Sequence, residues 1–346
     1  MIDRTSSILV TGGTGSFGQH FVRHAVERWS PRRVIVFSRD ELKQLEMRER
    51  FQGPKYASLR YFLGDVRDRE RLYRAFRDVD VVVHAAALKQ VPSAEYNPLE
   101  VIRTNILGAV NVSEAAIDCG VRNVLALSTD KAVAPVNLYG ATKMCSDRLL
   151  MRADAYDGMR HTRFAVVRYG NVLGSRGSVV PLFLARRPTG VLPITDTRMT
   201  RFWITLDRAV EFVGDALERM QGGEIFVPKL PSMRVVDLAR AIGPECEQTV
   251  VGIRPGEKLH EVLLSEDEAR NAYDLGDAFA VMPPDCGPPR PDAPRVAESF
   301  RYASDSNGEL LSVEDLQRLL GLYLEEEAKP DACPLSSVMS RSTELR

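Results

Sequence analysis

The chain has 346 residues, 44% hydrophobic and 27% charged, with a formal net charge of −1 and a pI of about 6.6. That length admits one large domain or two small ones, and the apolar share supports a packed core without cross-links. A charge balance this close to neutral argues against nucleic acid or an anionic membrane surface as the main partner, and no apolar run is long enough to span a bilayer.

Five cysteines, Cys119, Cys145, Cys246, Cys286 and Cys333, are scattered and form no C-x-x-C pair. Their number is odd, so reduced thiols in a cytoplasmic protein fit best. A core strand begins within about ten residues of the start, so no signal peptide is expected.

Residues 7–11, Ser-Ile-Leu-Val-Thr, read as a short buried strand. It runs into Gly12-Gly13-Thr14-Gly15-Ser16-Phe17-Gly18 and then a helical pattern on Phe21, Val22, Ala25 and Val26. Strand, glycine turn and helix in that order are the setting a dinucleotide fingerprint needs. Glycines at 12, 15 and 18 permit the tight turn. They let backbone N–H groups reach a pyrophosphate at the helix N-terminus. Thr14, Ser16 and Phe17 line the same turn. Without the flanking strand and helix, these glycines would read as an ordinary loop.

A second strand, residues 33–37, leads into Ser38-Arg39-Asp40-Glu41-Leu42-Lys43, where an adenosine ribose is read. An acid directly at the strand end would favour NAD. Here Ser38 and Arg39 come first and Lys43 follows, which suits a 2′-phosphate and predicts NADP. The plain alternative is a solvated helix start. A third strand, residues 59–63, ends in Gly64-Asp65-Val66. Asp65 is placed to accept from the adenine amino group, or else to cap a helix over 67–76. A fourth strand, 79–84, leads into Ala85 and Ala86, whose small side chains leave room for a cofactor. His84 reads as a packed strand residue. The pair Thr104-Asn105 is expected to open a helix over 106–116.

An apolar run, 123–127, then ends in Ser128-Thr129-Asp130-Lys131, and Tyr139-Gly-Ala-Thr-Lys143 follows. On a helix, Tyr139 and Lys143 share a face, because residues four apart are neighbours. A strand end with an acid and an amine, facing a helix with a phenol and an amine, is a place where protons move. The plain alternative for Asp130-Lys131 is a salt-bridged strand end. A further strand, 164–168, runs into Tyr169-Gly170-Asn171-Val172.

Strands and helices alternate so regularly that a doubly wound parallel α/β sheet is predicted, with ligands at the carboxyl ends of its strands. Residues 1–172 are expected to form a Rossmann-type domain, with a segment near 205–228 returning to it. Residues 173–204 and 229–325 are expected to form a smaller substrate-binding lobe. Residues 282–294, rich in proline, should be an irregular connection, and 328–346 a flexible tail.

These motifs resemble those of the extended short-chain dehydrogenase/reductases. More closely, the chain is similar to the inverting UDP-N-acetylglucosamine 4,6-dehydratases, from about Ser7 to Leu320. The likeness rests on Thr11–Gly18, Ser38–Lys43, His84–Lys89, Ser128–Lys131, Asn137–Lys143, Arg168–Val172, Gly174–Pro181, Arg198–Trp203 and Arg254–His260. It implies NADP, a UDP-sugar substrate, a 4-keto-6-deoxy product inverted at C5, and a homo-oligomer. It also implies cofactor contacts from Asp40, Val66 and Lys89, and substrate contacts from Lys89, Thr129, Asn171, Arg201, Arg254 and Glu257. Arg201 and Arg254 could neutralise a diphosphate. Related dehydratase/epimerases carry Met where this chain has Tyr139, retaining dehydratases carry Asp-Glu at 130–131, and membrane-bound relatives add preceding transmembrane helices.

Loss of water across C5–C6 is hard until C4 is oxidised, because only then is the C5 proton acidic. Tyr139 is the expected base for the 4-hydroxyl, its phenol lowered by Lys143 and a cationic nicotinamide. Lys131 is the expected base at C5, made neutral by desolvation, and Asp130 the acid for the 6-hydroxyl, raised by burial. Two rivals remain open. A UDP-hexose 4-epimerase would share the fold, cofactor, Tyr139 and Lys143 but would need no Asp-Lys pair. A non-catalytic NADP-binding protein would have lost the chemistry.

Overall fold

Ser7–Thr11 (β1) is uncharged and every residue in it is buried, as a strand covered on both faces must be. The computed structural model describes residues 2–156, 162–175 and 177–327. The tail at 328–346 and Arg176, within one quoted motif, lie outside the described residues. After β1 come the helix Ser16–Trp29 (α1) and the strand Arg33–Ser38 (β2). Then follow the helix Glu41–Arg50 (α2), the strand Leu59–Leu63 (β3), the helix Arg69–Ala75 (α3) and the strand Val81–His84 (β4).

The chain divides into two units, and the first holds residues 1–169, 207–229 and 262–303. Its nine-stranded sheet also contains Asn123–Thr129 (β5), Arg163–Tyr169 (β6) and the strands Ile225–Pro228, Ala272–Asp274 and Ala278–Val281. From one edge the order is Ala272–Asp274, Ala278–Val281, Ile225–Pro228, β6, β5, β4, β1, β2, β3. All pairings are parallel except the two made by Ala278–Val281. The winding reverses between β1 and β4, the crevice where a doubly wound sheet binds its ligand.

Residues 262–303 were expected in the lobe but belong to the sheet unit. Ala278–Val281 is wholly buried and pairs with Ile225–Pro228, itself parallel to β6.

Before β5 lie the helices Val91–Tyr96 (α4), Pro98–Ile102 (α5) and Gly108–Cys119 (α6). A π-helical turn, Arg103–Leu107, joins the last two. Thr104 and Asn105 therefore sit inside a helical run, where a helix start was expected. Such a turn widens the backbone locally, and such turns are frequent at functional sites. After β5 comes the helix Leu138–Met151 (α7), capped by Asn137, whose side chain accepts from Gly140 N at 2.8 Å.

The second unit holds residues 170–206, 230–261 and the chain from 304 onward. Asn171–Val172, Thr200–Ile204 and Ser232–Arg234 form a three-stranded sheet, and Val191–Ile194 pairs in parallel with Glu247–Val250. No helix among the described residues is long and apolar enough to cross a membrane.

Candidate active site

At the end of β1, Gly12 has φ +67°, and a Cβ there would stand 2.9 Å from Ala86 Cα and N. A Cβ on Gly18 would meet the Gly12 carbonyl oxygen at 2.6 Å. Only glycine lets the turn lie against the loop after β4 and α1 pack down onto the turn. Gly15 is the N-cap of α1 and offers no side-chain cap, and no acid lies in the first turn. The N–H groups of a 14-residue helix are thus left to an anion. Cradle and donors fit a dinucleotide pyrophosphate.

At the end of β2, Thr14 Oγ1 donates to Ser38 Oγ at 3.0 Å, and Gln44 Nε2 holds the Ser38 carbonyl at 3.0 Å. Asp40 caps α2 by accepting from Lys43 N at 3.0 Å, and its other oxygen pairs with Lys43 Nζ at 2.8 Å. Arg39 lies half-exposed, 3.7 Å from the Asp65 carboxylate. Asp65 is gripped by Arg67 at 2.7 Å. Burial pushes its carboxyl up, but the Arg67 hydrogen bonds and charge outweigh that and hold it low. Capping of α3 falls to Asp68, which accepts from Arg71 N at 3.0 Å, and the helix begins at Arg69. Asp65 is therefore not the cap. Val66 is buried beneath α6, its carbonyl held by Asn111 Nδ2 at 3.0 Å.

The loop after β4 is stapled to α7 by one side chain. Asn105 Oδ1 accepts from Leu88 N at 2.8 Å, and its Nδ2 donates to the Leu88 carbonyl at 2.9 Å and to Thr142 Oγ1 at 3.0 Å. Asn105 reads in the sequence only as part of a helix start, because a π-helical turn leaves no periodic signal. Lys89 follows in the same loop and is exposed. His84 is buried and shares a 2.8 Å hydrogen bond with Thr11. Burial and then the Lys143 charge push its imidazole down to about 3, so it stays neutral and serves packing.

Beyond β5, Thr129 caps a single turn, Asp130–Ala132. Asp130 has no exposed surface, and its Oδ1 lies 3.0 Å from Lys131 Nζ. Thr129 Oγ1 donates to the same Oδ1 at 2.9 Å and accepts from Lys131 N at 3.3 Å. Tyr139, in the first turn of α7, carries a buried phenol. Burial pushes that phenol up to about 12, while the Lys131 charge and the Thr129 hydroxyl act downward. The expectation of a phenol lowered by Lys143 is corrected, since the cation acting on it here is Lys131. Lys143, one turn further along α7, is buried, and burial pulls its amine down while Asp147 pulls it up.

Behind Lys143 runs a buried charge network. Ser128 Oγ donates to Asp147 Oδ2 at 2.6 Å, and Arg168 lies 3.5 Å from that oxygen and 2.9 Å from Glu268. Asp147 was overlooked, though Tyr139, Lys143 and Asp147 repeat at the four-residue spacing of one helix face. A Cβ on Gly140 would strike the Lys131 carbonyl oxygen and lie 3.0 Å from its carbonyl carbon. Glycine there is what lets α7 rest on the turn carrying Asp130 and Lys131.

The remaining candidates lie in the second unit. Asn171 Oδ1 is buried and has no hydrogen-bond partner among the described residues. Arg254 is exposed and faces Glu257 at 3.5 Å. Arg201 is buried, and its terminal nitrogens donate to the carbonyls of Thr200, Leu259 and Lys258 at 2.7, 3.0 and 2.9 Å. In this arrangement it clamps main chain, which corrects the expectation that it meets a diphosphate. No metal-binding cluster occurs among the described residues.

Residues 8–283 match the polysaccharide biosynthesis protein family. The UDP-N-acetylglucosamine 4,6-dehydratase (inverting) of Campylobacter jejuni subsp. jejuni serotype O:2 is 50% identical over 326 residues, covering 91% of this chain and 97% of its own. A UDP-glucose 4-epimerase of Rickettsia canadensis is 42% identical over 288 residues, 81% of this chain and 83% of its own. Among solved structures, Pen from Bacillus thuringiensis superposes with a TM-score of 0.86 at 35% identity, over 94% of this chain and 99% of that one. A dehydratase and an epimerase of the same fold have been solved with NAD bound.

Proposed function

Because the chain belongs to the polysaccharide biosynthesis protein family, we propose that it is a UDP-N-acetylglucosamine 4,6-dehydratase that inverts C5. The observation that carries this reading is the hydrogen-bonded cluster of Thr129, Asp130 and Lys131, with the buried Tyr139 on the helix that rests on the same turn at Gly140. It joins one base for oxidation to a separate acid and base for elimination. A bound nicotinamide supplies hydride acceptance at C4 and hydride return at C6, and so ends each turnover unchanged.

The chain's own residues move the protons. Tyr139 takes the proton of the 4-hydroxyl. With C4 a ketone, Lys131 removes the C5 proton and Asp130 protonates the departing 6-hydroxyl. A proton then returns to C5 on the face opposite Lys131, which inverts that centre. Gly12, Gly15, Gly18 and the α1 N-terminus hold the pyrophosphate, and Ala85 and Ala86 leave room beside it.

The cofactor is a nicotinamide dinucleotide, and NADP is the finer reading. Arg39, just after β2, and Lys43, in the first turn of α2, support it as half-exposed cations. NADP should bind more tightly than NAD. Arg39→Ala should weaken NADP selectively, by roughly 1.5–3 kcal/mol for a lost charged hydrogen bond, as fluorescence titration of both cofactors would measure. Asn171, Arg254 and Glu257 are proposed for the UDP-sugar, with a homo-oligomer in the cytoplasm as the setting.

The epimerase reading has the 42% identity in its favour. An epimerase inverts C4 and eliminates nothing, so it leaves Asp130 and Lys131 without a task. Incubation with UDP-N-acetylglucosamine in deuterated water separates the two. NMR should find a 4-keto-6-deoxy sugar with deuterium at an inverted C5. A 4-epimer with its 6-hydroxyl intact would end the dehydratase reading.

A further inference from the structure

β4 runs beside β5 only as far as the pair His84–Ala126, while β6 stays with it to the pair Tyr169–Thr129. Leu127, Ser128 and Thr129 therefore have a strand on one side only among the described residues, and the turn Asp130–Ala132 follows them directly. A strand end paired on one side opens more readily than one paired on both. Here a second support comes from a side chain on α7. Asp147 Oδ2 accepts from Ser128 Oγ at 2.6 Å and lies 3.5 Å from Arg168 Nη2. Ser128 and Arg168 are register partners across β5 and β6, so one carboxylate oxygen gathers a cross-strand pair onto the helix. All three side chains are buried. Arg168 is braced by Glu268 at 2.9 Å and donates to the Leu263 carbonyl at 3.1 Å.

We propose that Asp147 is a positioning residue, which through Ser128 sets the turn carrying Asp130 and Lys131 at its distance from Tyr139 and Lys143. The inference rests on the dehydratase reading, in which α7 serves oxidation at C4 and the turn serves elimination across C5–C6. Near the start of α7, Gly140 lies against the Lys131 carbonyl. Asp147 takes hold of the strand tip roughly two turns further along the same helix. One attachment would fix the helix at a distance from the turn. Two attachments fix its tilt as well, and with it the angle between the two halves of the site. Once the tie to Ser128 is cut, the sugar stays with the cofactor and Tyr139, while the turn is free to draw back from C5 and O6. Oxidation then survives and elimination slows.

Ser128→Ala removes the hydroxyl and leaves every group assigned to the chemistry in place. Stopped-flow absorbance of the cofactor would follow oxidation, and rapid quench with mass spectrometry would follow loss of water from UDP-N-acetylglucosamine. Oxidation should stay within about twofold of the unmodified enzyme while elimination slows on the order of 10²-fold, the effect of about 1 Å of misplacement. Reduced cofactor should then build up in each turnover before the ordinary 4-keto-6-deoxy product appears. Ser128→Thr, which restores the hydroxyl, should bring the two rates back to their ordinary ratio. Asp147→Asn keeps an acceptor for Ser128 and loses the charge facing Arg168, so it should melt earlier and leave that ratio unchanged. Equal slowing of both steps in Ser128→Ala would overturn the positioning role, and so would an earlier melt with both rates unchanged. Should alanine prevent folding, Ser128→Cys, a weaker donor, carries the same comparison. A normal product from the unmodified enzyme with an unaltered ratio in the variant sinks the positioning role alone. No such product from the unmodified enzyme sinks the parent reading.

Discussion

The Lys131 charge acts on the Tyr139 phenol, yet loss of the two residues should halt the reaction at different points. Lys131→Ala leaves the base for C4 and the glycine turn in place, so oxidation should proceed and elimination should stall. Reduced cofactor should then accumulate beside a 4-keto sugar that keeps its 6-hydroxyl, visible by absorbance and mass spectrometry. Tyr139→Phe should give no reduced cofactor at all. Each should cost ~10²–10⁴-fold in turnover, the usual size of a lost general base. A Lys131→Ala enzyme that dehydrates at the normal rate would remove Lys131 from the mechanism. Asp130, Lys131, Tyr139 and Lys143 were legible as candidates because the first two follow a strand end and the last two share a helix face. Their partnerships were not. Which cation acts on the phenol depends on where two side chains of similar reach come to lie, and spacing along the chain cannot decide that.

The elements of the site are held at their distances by close approaches more than by caps. At Gly140 the first turn of α7 rests against the Lys131 carbonyl. Gly140→Ala should push the helix off the turn, cost about 1–3 kcal/mol as an overpacked contact, and lower turnover through the displaced Tyr139. Denaturant melts alongside steady-state rates would measure both, and an alanine variant with unchanged stability and rate would show that the turn can give way. The sequence names Tyr139 and Lys143 as a pair but is silent on why glycine separates them, because the reason is the carbonyl of Lys131, upstream in another element. The π-helical turn at Arg103–Leu107 is hidden for a related reason. Its residues have ordinary helix-forming character, and what sets the turn apart is the hydrogen bonds Asn105 makes outside the helix.

At the scale of the whole molecule, Glu268 ties a late segment of chain to β6 through Arg168. Burial raises its carboxyl, but the Arg168 charge and hydrogen bonds outweigh that and hold it below its ordinary value. A carboxyl held low in the folded state adds stability above its unfolded pKa, and that stability is lost as pH falls through the folded value. Asp147, on the same guanidinium, is pushed up by burial and cannot supply this effect. Glu268→Gln should therefore be less stable at neutral pH, by about 3 kcal/mol for a broken buried pair, yet lose less on acidification. Thermal melts from pH 7 downward would check it, and parallel curves for the two proteins would show that Glu268 titrates no differently on folding. The parallel core of the sheet was legible from its alternation of strands and helices. The return of residues 262–303 to it was not, since strands of three or four residues separated by polar turns carry no period that names a partner. That return has a consequence for solubility. Without it Ile225–Pro228, four buried residues, would be the sheet's outermost rung, and a bare apolar rung recruits strands from other chains. Instead the sheet ends on the three-residue strand Ala272–Asp274, whose Tyr273 is bridged in turn by Arg295. The segment that was expected in the lobe covers an edge at which copies of this chain could otherwise pair.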